Sequence, residues 1–192
     1  MRLRVPSVLL VLVASAALIS TASAQLPPGV NETFANLADQ PPTHFGLVFD
    51  RSMLQGVRGV LESQGMSPER AAAALTSIGY DNYRYKFPAV YAPDAMAHLS
   101  AAYRAAGWKH LVDAHGKKQQ FSEQDGTTTD LWLHMNGMDV DGITVMTRGV
   151  KNLNVIQVAC DLKPIELLHL SGHFGIPKVD PHTVMVPDPN DK

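Results

Sequence analysis

Two histidines, His169 and His173, are the first candidates for chemistry in this 192-residue chain. They stand four residues apart in an apolar segment that begins at Asp161, so a helix there would place both imidazoles on one face. Two imidazoles at that spacing can bind zinc, but a zinc site needs at least a third ligand. Leu170 follows the first histidine, where the best-known zinc-binding helices carry glutamate. The alternative is a pair of histidines near the end of a helix.

Asp139 and Asp141 stand two residues apart before Gly142, a spacing that also begins calcium-binding loops. Calcium needs more oxygen ligands and a closing glutamate, which this stretch of sequence lacks. Aspartate and glycine are common turn residues, so we predict a hairpin loop here. The sequence has no Gly-x-Ser-x-Gly nucleophile motif and no phosphate-binding glycine loop.

A third group of residues is mixed aromatic and polar. Trp132, His134, Arg148 and Gln157 fall on strands predicted below, where they would share the sheet face opposite the core. Such a face can bind a ligand, because aromatic residues and arginine anchor many interfaces. We therefore predict Trp132, His134 and Arg148 as ligand-binding residues. The alternatives are a solvated face and a face covered by the N-terminal arm.

The elements that would position these residues follow from the spacing of apolar side chains. The pattern predicts strands over 44–50, 80–87, 108–114, 130–136, 143–148 and 153–160. It predicts helices over 52–63, 67–78 and 93–106, and a last helix that begins at Asp161. Leu131, Leu133 and Met135 alternate with polar or aromatic neighbours and are expected to be the buried set. Because the connections after residue 107 are short, we predict an α+β fold: a predominantly antiparallel sheet with helices packed on one face.

The first 24 residues have the three parts of a secretory signal peptide. A basic start precedes an apolar run over residues 8–19, and Ala22-Ser23-Ala24 supplies a cleavage site. The run is shorter than the roughly 20 residues of a membrane span. We predict export to the periplasm or the exterior, with no membrane span after cleavage. The remaining chain divides into a loose N-terminal arm over 25–43, one α+β domain over 44–177 and a flexible tail over 178–192.

The net charge and the cysteine content of the sequence restrict what the protein can bind and how it can be crosslinked. Residues 1–24 hold two basic and no acidic residues, so the rest of the chain has 14 basic and 18 acidic residues and a net charge of −4. That balance argues against nucleic acid, which attracts basic surfaces. Cys160 is the only cysteine, so no internal disulfide can form. It is predicted to be a buried, inert side chain, because no Cys, Lys, Arg or His adjoins it.

Several segments together resemble a family of small exported bacterial proteins classed as a domain of unknown function. The segments that carry the resemblance are 49–54, 80–87, 107–112, 154–162 and 172–177. It covers about residues 44–177 and consists of apolar strands, turns and helix ends, so it implies a fold and not a chemistry. Many relatives are lipoproteins, whereas this chain lacks the cysteine that carries the lipid. The family supplies no catalytic residues.

These observations favour a non-enzymatic periplasmic or secreted module that binds an envelope protein or a small ligand, with no cofactor. Two other hypotheses stay open. One is a metal-assisted enzyme that uses His169 and His173, and the other is a structural component of the envelope.

Overall fold

The computed structural model describes residues 26–27, 29–113, 126–173, 176–179 and 183–186. The predicted signal peptide, residues 1–24, and the segment over 114–125 between the predicted strands 108–114 and 130–136 lie outside these ranges. The described helices are α1 (Val30–Ala35), α2 (Gln55–Ser63), α3 (Pro68–Ala74), α4 (Pro93–Ala105) and α5 (Leu167–Leu170), the last preceded by a 3₁₀ turn (Pro164–Glu166). The strands are β1 (Thr43–Asp50), β2 (Leu75–Arg84), β3 (Lys109–Asp113), β4 (Thr128–Asn136), β5 (Asp139–Arg148), β6 (Asn152–Leu162) and β7 (Thr183–Val186).

All seven strands form one sheet in the order β1-β2-β6-β5-β4-β3-β7, and every pairing is antiparallel. The predicted meander is confirmed for β3 to β6, which are neighbours in both sequence and space. Gly137 has a positive φ of 65° and begins the tight turn between β4 and β5, so β5 starts at Asp139. The α+β class and the predominantly antiparallel sheet are confirmed.

The sheet buries apolar side chains on both of its faces. The first face carries Leu131, Leu133, Ile143, Val145 and Val158, which pack with residues of α2, α3 and α5. The second face carries Tyr83, Trp132, Met146, Leu153 and Val155, which pack with residues of α1 and α4. Helices therefore lie on both faces, whereas the sequence led us to expect them on one face only.

Because both faces are covered, burial along β4 does not alternate as the sequence predicted. Leu131 and Leu133 are buried as predicted, but Met135 is only partly buried. Trp132, between the two leucines, is also buried. The expectation that alternating neighbours would be exposed is wrong here, because a second helical layer covers the other face.

Two predicted boundaries change for related reasons. The N-terminal arm is not loose, since Val30, Phe34 and Leu37 are buried against the second face. The tail also contributes structure, because residues 183–186 form β7 and pair with β3. Apolar burial therefore holds the first segment against the sheet, and strand pairing holds residues 183–186 of the second, although both segments are rich in proline.

The boundary between α3 and β2 is also different from the prediction. Ser67 caps α3 as expected, with its hydroxyl accepting from the Arg70 amide at 3.3 Å. The helix ends at Ala74, however, and Leu75 already has extended dihedral angles. Leu75 and Ile78 lie in β2, which pairs with β1 on one side and β6 on the other. Long-range pairing thus overrides the helical spacing of the apolar residues.

Arg70 ties α3 to the far end of β6 and to the turn that follows. Its guanidinium donates to both carboxylate oxygens of Glu166, at 3.1 and 2.8 Å, and to the backbone carbonyl of Asp161 at 2.8 Å. The bidentate pairing raises the pKa of Arg70 and holds the pKa of Glu166 below its usual range. Such planar fork contacts fix geometry as well as charge, so the helical cover is anchored at this end of the first face.

Cys160 gives a test of this core. The residue is 7% exposed and lies in the same cluster as Leu167 and Leu170, and its Sγ donates to the Val140 carbonyl at 3.3 Å. Burial first, and then the charges of Asp141 and Asp161, raise the pKa of the thiol to about 12.

We expect the native thiol to react with a disulfide reagent at neutral pH about a thousandfold more slowly than the unfolded chain, because only the thiolate attacks. Absorbance of the released thiol, measured with and without denaturant, checks this rate. Equal rates in the two conditions would contradict the assigned packing.

Candidate functional site

Trp132, the aromatic member of the predicted binding face, lies inside the protein. Its side chain is 3% exposed. The indole stacks on the His110 ring at a centroid distance of 4.3 Å and on the Tyr103 ring at 5.2 Å. Tyr103 belongs to α4 and His110 to β3, so the indole joins the sheet to its second helical layer.

Arg148 is part of a buried charge cluster on the same face. Its Nη2 donates to the Asp130 carboxylate at 2.9 Å, and His110 Nε2 lies 3.3 Å from the other oxygen of that carboxylate. Burial acts to raise the pKa of Asp130. The hydrogen bond from His110 and the charge of Arg148 outweigh it, so the pKa stays below its usual range. The ionised carboxylate is therefore the form that this cluster favours.

His134 has an internal partner as well. Its Nδ1 lies 2.5 Å from the Asp141 carboxylate, and its ring lies 5.4 Å from the ring of Trp108. The structure thus places Trp132, His134 and Arg148 on one face, as predicted, but α1 and α4 cover that face. The premise that this face is exposed is wrong, because the polar side chains pair with one another under the helices.

The histidines proposed for a metal do not share a helix face. Helix α5 ends at Leu170, so His169 lies within it and His173 follows in a turn. The helical spacing argument therefore does not apply to this pair. Asp139 and Asp141 lie in strand β5 and not in a loop. Across the described ranges, no group of three or more His, Cys, Asp or Glu side chains is arranged to hold a metal ion.

The accessible site is on the first face, where β1, β2 and β6 extend beyond the helical cover. The side chains there form rows across the three strands, and the rows change from apolar to polar along the strand direction. In order, the rows are Phe49–Ile78–Val158, Leu47–Tyr80–Ile156, Phe45–Asn82–Asn154 and Thr43–Arg84–Asn152. At about 3.3 Å per residue, the six residue steps from Ile78 to Arg84 span roughly 20 Å.

The apolar end of these rows forms a groove of about 550 Å³ against the start of α2. We call it the apolar groove. It is lined by Phe49, Met53, Leu54, Gly56, Val57, Ile78, Tyr80 and Ile156. Leu54 and Ile78 form its buried floor, whereas Met53 and Phe49 stand exposed at its edge. Ligand pockets of small molecules have volumes of this order and are mostly apolar.

The polar end of the rows is a hydrogen-bonded patch on the same face. Asn154 Oδ1 accepts from the Tyr80 hydroxyl at 3.0 Å and from Asn82 Nδ2 at 2.6 Å. Arg84 lies exposed in the next row. Tyr80, Asn82 and Arg84 line two shallow clefts of about 460 and 490 Å³, and Lys151 lines one of them. We call this region the polar patch, and Tyr80 connects it to the apolar groove.

The apolar groove and the polar patch together carry the groups of a ligand-binding site. The groove lining consists of apolar side chains, one glycine and the Tyr80 phenol. Tyr80 is the one residue of this lining that belongs to the types used as general acid, base or nucleophile, and its hydroxyl donates to Asn154. The patch supplies amide and hydroxyl hydrogen bonds and a guanidinium. An apolar surface next to hydrogen-bond donors and a cation suits an amphiphilic molecule with an anionic end.

Sequence reasoning missed this site although a signal was present. Ile78, Tyr80, Asn82 and Arg84 alternate with residues of the other face and change from apolar to polar in chain order. The helical spacing assigned to residues 67–78 hid the first part of this strand. The sequence predicted 44–50 as a strand, and only the structure shows that β1 is an edge strand whose residues Phe45, Leu47 and Phe49 are exposed.

Comparisons with protein-family models, with curated proteins and with solved structures each find no match to this chain. Among the helices in the described part of the chain, none has the length and apolar character needed to cross a membrane.

The charge cluster predicts a defined stability change for Asp130→Asn. The substitution leaves the Arg148 guanidinium without its ion pair in a nearly buried site, so we expect a loss of about 3–5 kcal/mol in the free energy of unfolding at pH 7. Because the folded pKa of Asp130 is lowered, its contribution is present above the unfolded pKa of about 4 and is lost as pH falls below it.

The stability difference between wild type and Asp130→Asn should therefore shrink between pH 7 and pH 3 in urea titrations. The partly exposed Asp139 provides a control, since Asp139→Asn removes the same charge outside this cluster. A difference that stays constant with pH would contradict the assigned ion pair.

Proposed function

We propose that this protein is an exported, non-enzymatic module that binds an anionic amphiphile such as a long-chain fatty acid. The apolar groove would take the chain, and the polar patch would take the carboxylate. The observation that carries this proposal is the continuity of the two regions through Tyr80, which lines both the groove and the clefts of the patch.

The balance of surfaces supports an acyl chain over a polar ligand. Eight side chains or backbone positions of largely apolar character line the groove, and the nearest hydrogen-bonding side chain, Tyr80, lies at its edge next to the patch. Burial of apolar surface contributes roughly 25 cal/mol per Å². Most of the binding free energy would therefore come from the chain, and the head would set orientation.

The charges near the patch support an anionic head. Arg84, Lys86 and Lys151 are exposed at or beside the ends of β2 and β6. A carboxylate there would gain hydrogen bonds from neutral donors and attraction from cations without leaving water. Exposed ion pairs contribute about 0–1 kcal/mol, so this end discriminates between heads more than it adds affinity.

Export is the second half of the proposal. The order of charge, apolar run and small residues over 1–24 supports a signal peptide. Fatty acids and similar amphiphiles occur at membranes and need a carrier or sensor in the aqueous space around them, where such a module would act.

A matched pair of methionines tests the groove. Met53 lines the groove and is 64% exposed, whereas Met138 is 86% exposed in the turn between β4 and β5. We expect Met53→Lys to weaken binding of palmitate by up to about tenfold, because full burial of an apolar side chain of this size contributes about 1.5–3 kcal/mol, a ligand at the groove edge buries part of it, and 1.4 kcal/mol is tenfold.

Displacement of a fluorescent fatty acid by palmitate measures the affinity of wild type and of each variant. Met138→Lys controls for the added charge. The proposal fails if wild type does not bind palmitate, or if the two variants lose affinity equally.

The polar patch makes a separate prediction about the ligand head. We expect Arg84→Gln to lower the affinity for palmitate by up to about fivefold, since it removes one exposed charge partner. The same substitution should leave the affinity for hexadecanol unchanged, because that alcohol has the same chain and no charge. Equal losses for the acid and the alcohol would show that Arg84 does not contact the head.

A further inference from the structure

Strand β1 is an edge strand without the usual protection against pairing. It is eight residues long and exposed throughout, and it pairs with β2 in one unbroken register. No other strand in the described part of the chain pairs with its second edge. Natural edge strands are usually short, bulged, or interrupted by lysine or proline. β1 has none of these features, whereas β7 at the opposite edge has four residues.

We propose that β1 pairs antiparallel with β1 of a second copy of this chain, on a two-fold axis through Leu47. The pairing would join two seven-stranded sheets into one continuous sheet. It would also cover the exposed apolar side chains of the strand with their equivalents from the partner. This inference does not depend on the ligand proposed above.

The two faces of β1 restrict where the axis can pass. Phe45, Leu47 and Phe49 point to the first face, and His44, Gly46, Val48 and Asp50 point to the second. Directly opposed residues of an antiparallel pair share a face, so a two-fold axis perpendicular to the sheet must pass through a residue and not between two. Near the middle of β1 the choices are Gly46, Leu47 and Val48.

The axis at Leu47 pairs complementary side chains at the centre and near both ends of the strand, with Gly46 opposite the partner's Val48 between them. Phe45 then lies opposite the partner's Phe49, and Leu47 lies opposite the partner's Leu47. On the second face His44 lies opposite the partner's Asp50, so the one carboxylate of β1 meets an imidazole that can donate a hydrogen bond to it. Aromatic pairs and hydrogen-bonded polar pairs are favourable cross-strand contacts of antiparallel sheets.

The other two axes lose these contacts. An axis at Gly46 places His44 opposite an apolar Val48 and leaves Asp50 beyond the end of the opposing strand. An axis at Val48 places Asp50 opposite Gly46. The chemistry of the strand therefore selects one register.

His44 and Asp50 are both already held in place for this pairing. His44 Nε2 lies 2.7 Å from Asp81 Oδ1, and the ring stacks on Tyr83 at 4.5 Å. Gly46 permits this contact, since a Cβ there would stand 2.8 Å from Asp81 Oδ1. Asp50 Oδ1 accepts from the amides of Ser52 and Met53 at 2.9 and 3.1 Å, which fixes its carboxylate. Little side-chain freedom remains to be lost when two copies pair.

Cysteine crosslinking tests both the dimer and its register. At the proposed axis the two Leu47 Cα atoms would lie about 5 Å apart, within reach of a disulfide, whereas the two Phe45 Cα atoms would lie roughly 14 Å apart. We expect Leu47→Cys to form a disulfide dimer under mild oxidation, at a rate at least about tenfold above Phe45→Cys. An equal mixture of Phe45→Cys and Phe49→Cys should crosslink as the heterodimer.

The buried Cys160 is common to all variants, so wild type under the same oxidation is the background control. Analytical ultracentrifugation of wild type should show a monomer–dimer equilibrium, and Leu47→Lys should weaken it at least about tenfold, since like charges directly opposite are unfavourable. Wild type that stays monomeric at every concentration would overturn the proposal, as would Phe45→Cys crosslinking as fast as Leu47→Cys.

Discussion

Side chains alternate between the two faces along each strand, and in this sheet apolar residues lie on both faces. Helices must therefore cover two surfaces. On the second face α1 and α4 pack over Tyr83, Trp132 and Leu153, and the polar groups beneath them pair internally. On the first face α2, α3 and α5 cover β4, β5 and the C-terminal end of β6. The strands β1 and β2 extend past this cover. The unequal cover leaves an apolar groove and a polar patch accessible side by side.

The position of the opening follows from where the helices are anchored. Arg70 fixes α3 to Asp161 and Glu166 at one end of β6. Leu61 of α2 is fully buried, whereas at the start of α2 Leu54 is buried and Met53 stands exposed beside the groove. The helical layer is therefore anchored at one end and leaves a gap at the other, where the proposed acyl chain would complete the packing.

Much of the fold follows from local pattern, and the site does not. The short connections were enough to predict the antiparallel meander, although β5 begins at Asp139 and not at residue 143. β2 could not be bounded, because an alanine-rich helix runs into it without a break and only pairing with β1 and β6 decides where Leu75 belongs. The binding role given to Trp132 and Arg148 assumed that polar residues on a strand face water. Asp130 and His110 supply internal partners instead, and no local pattern reveals such long-range pairing.

The central claim is that the groove beside α2 holds the apolar part of a ligand. Methyl NMR on protein labelled at methionine tests it directly, because Met53 lines the groove and Met138 lies in a distant turn. On titration with palmitate, the Met53 methyl resonance should move progressively and saturate while the Met138 resonance stays fixed. A Met53 resonance that does not respond, or equal movement of both resonances, would contradict this account.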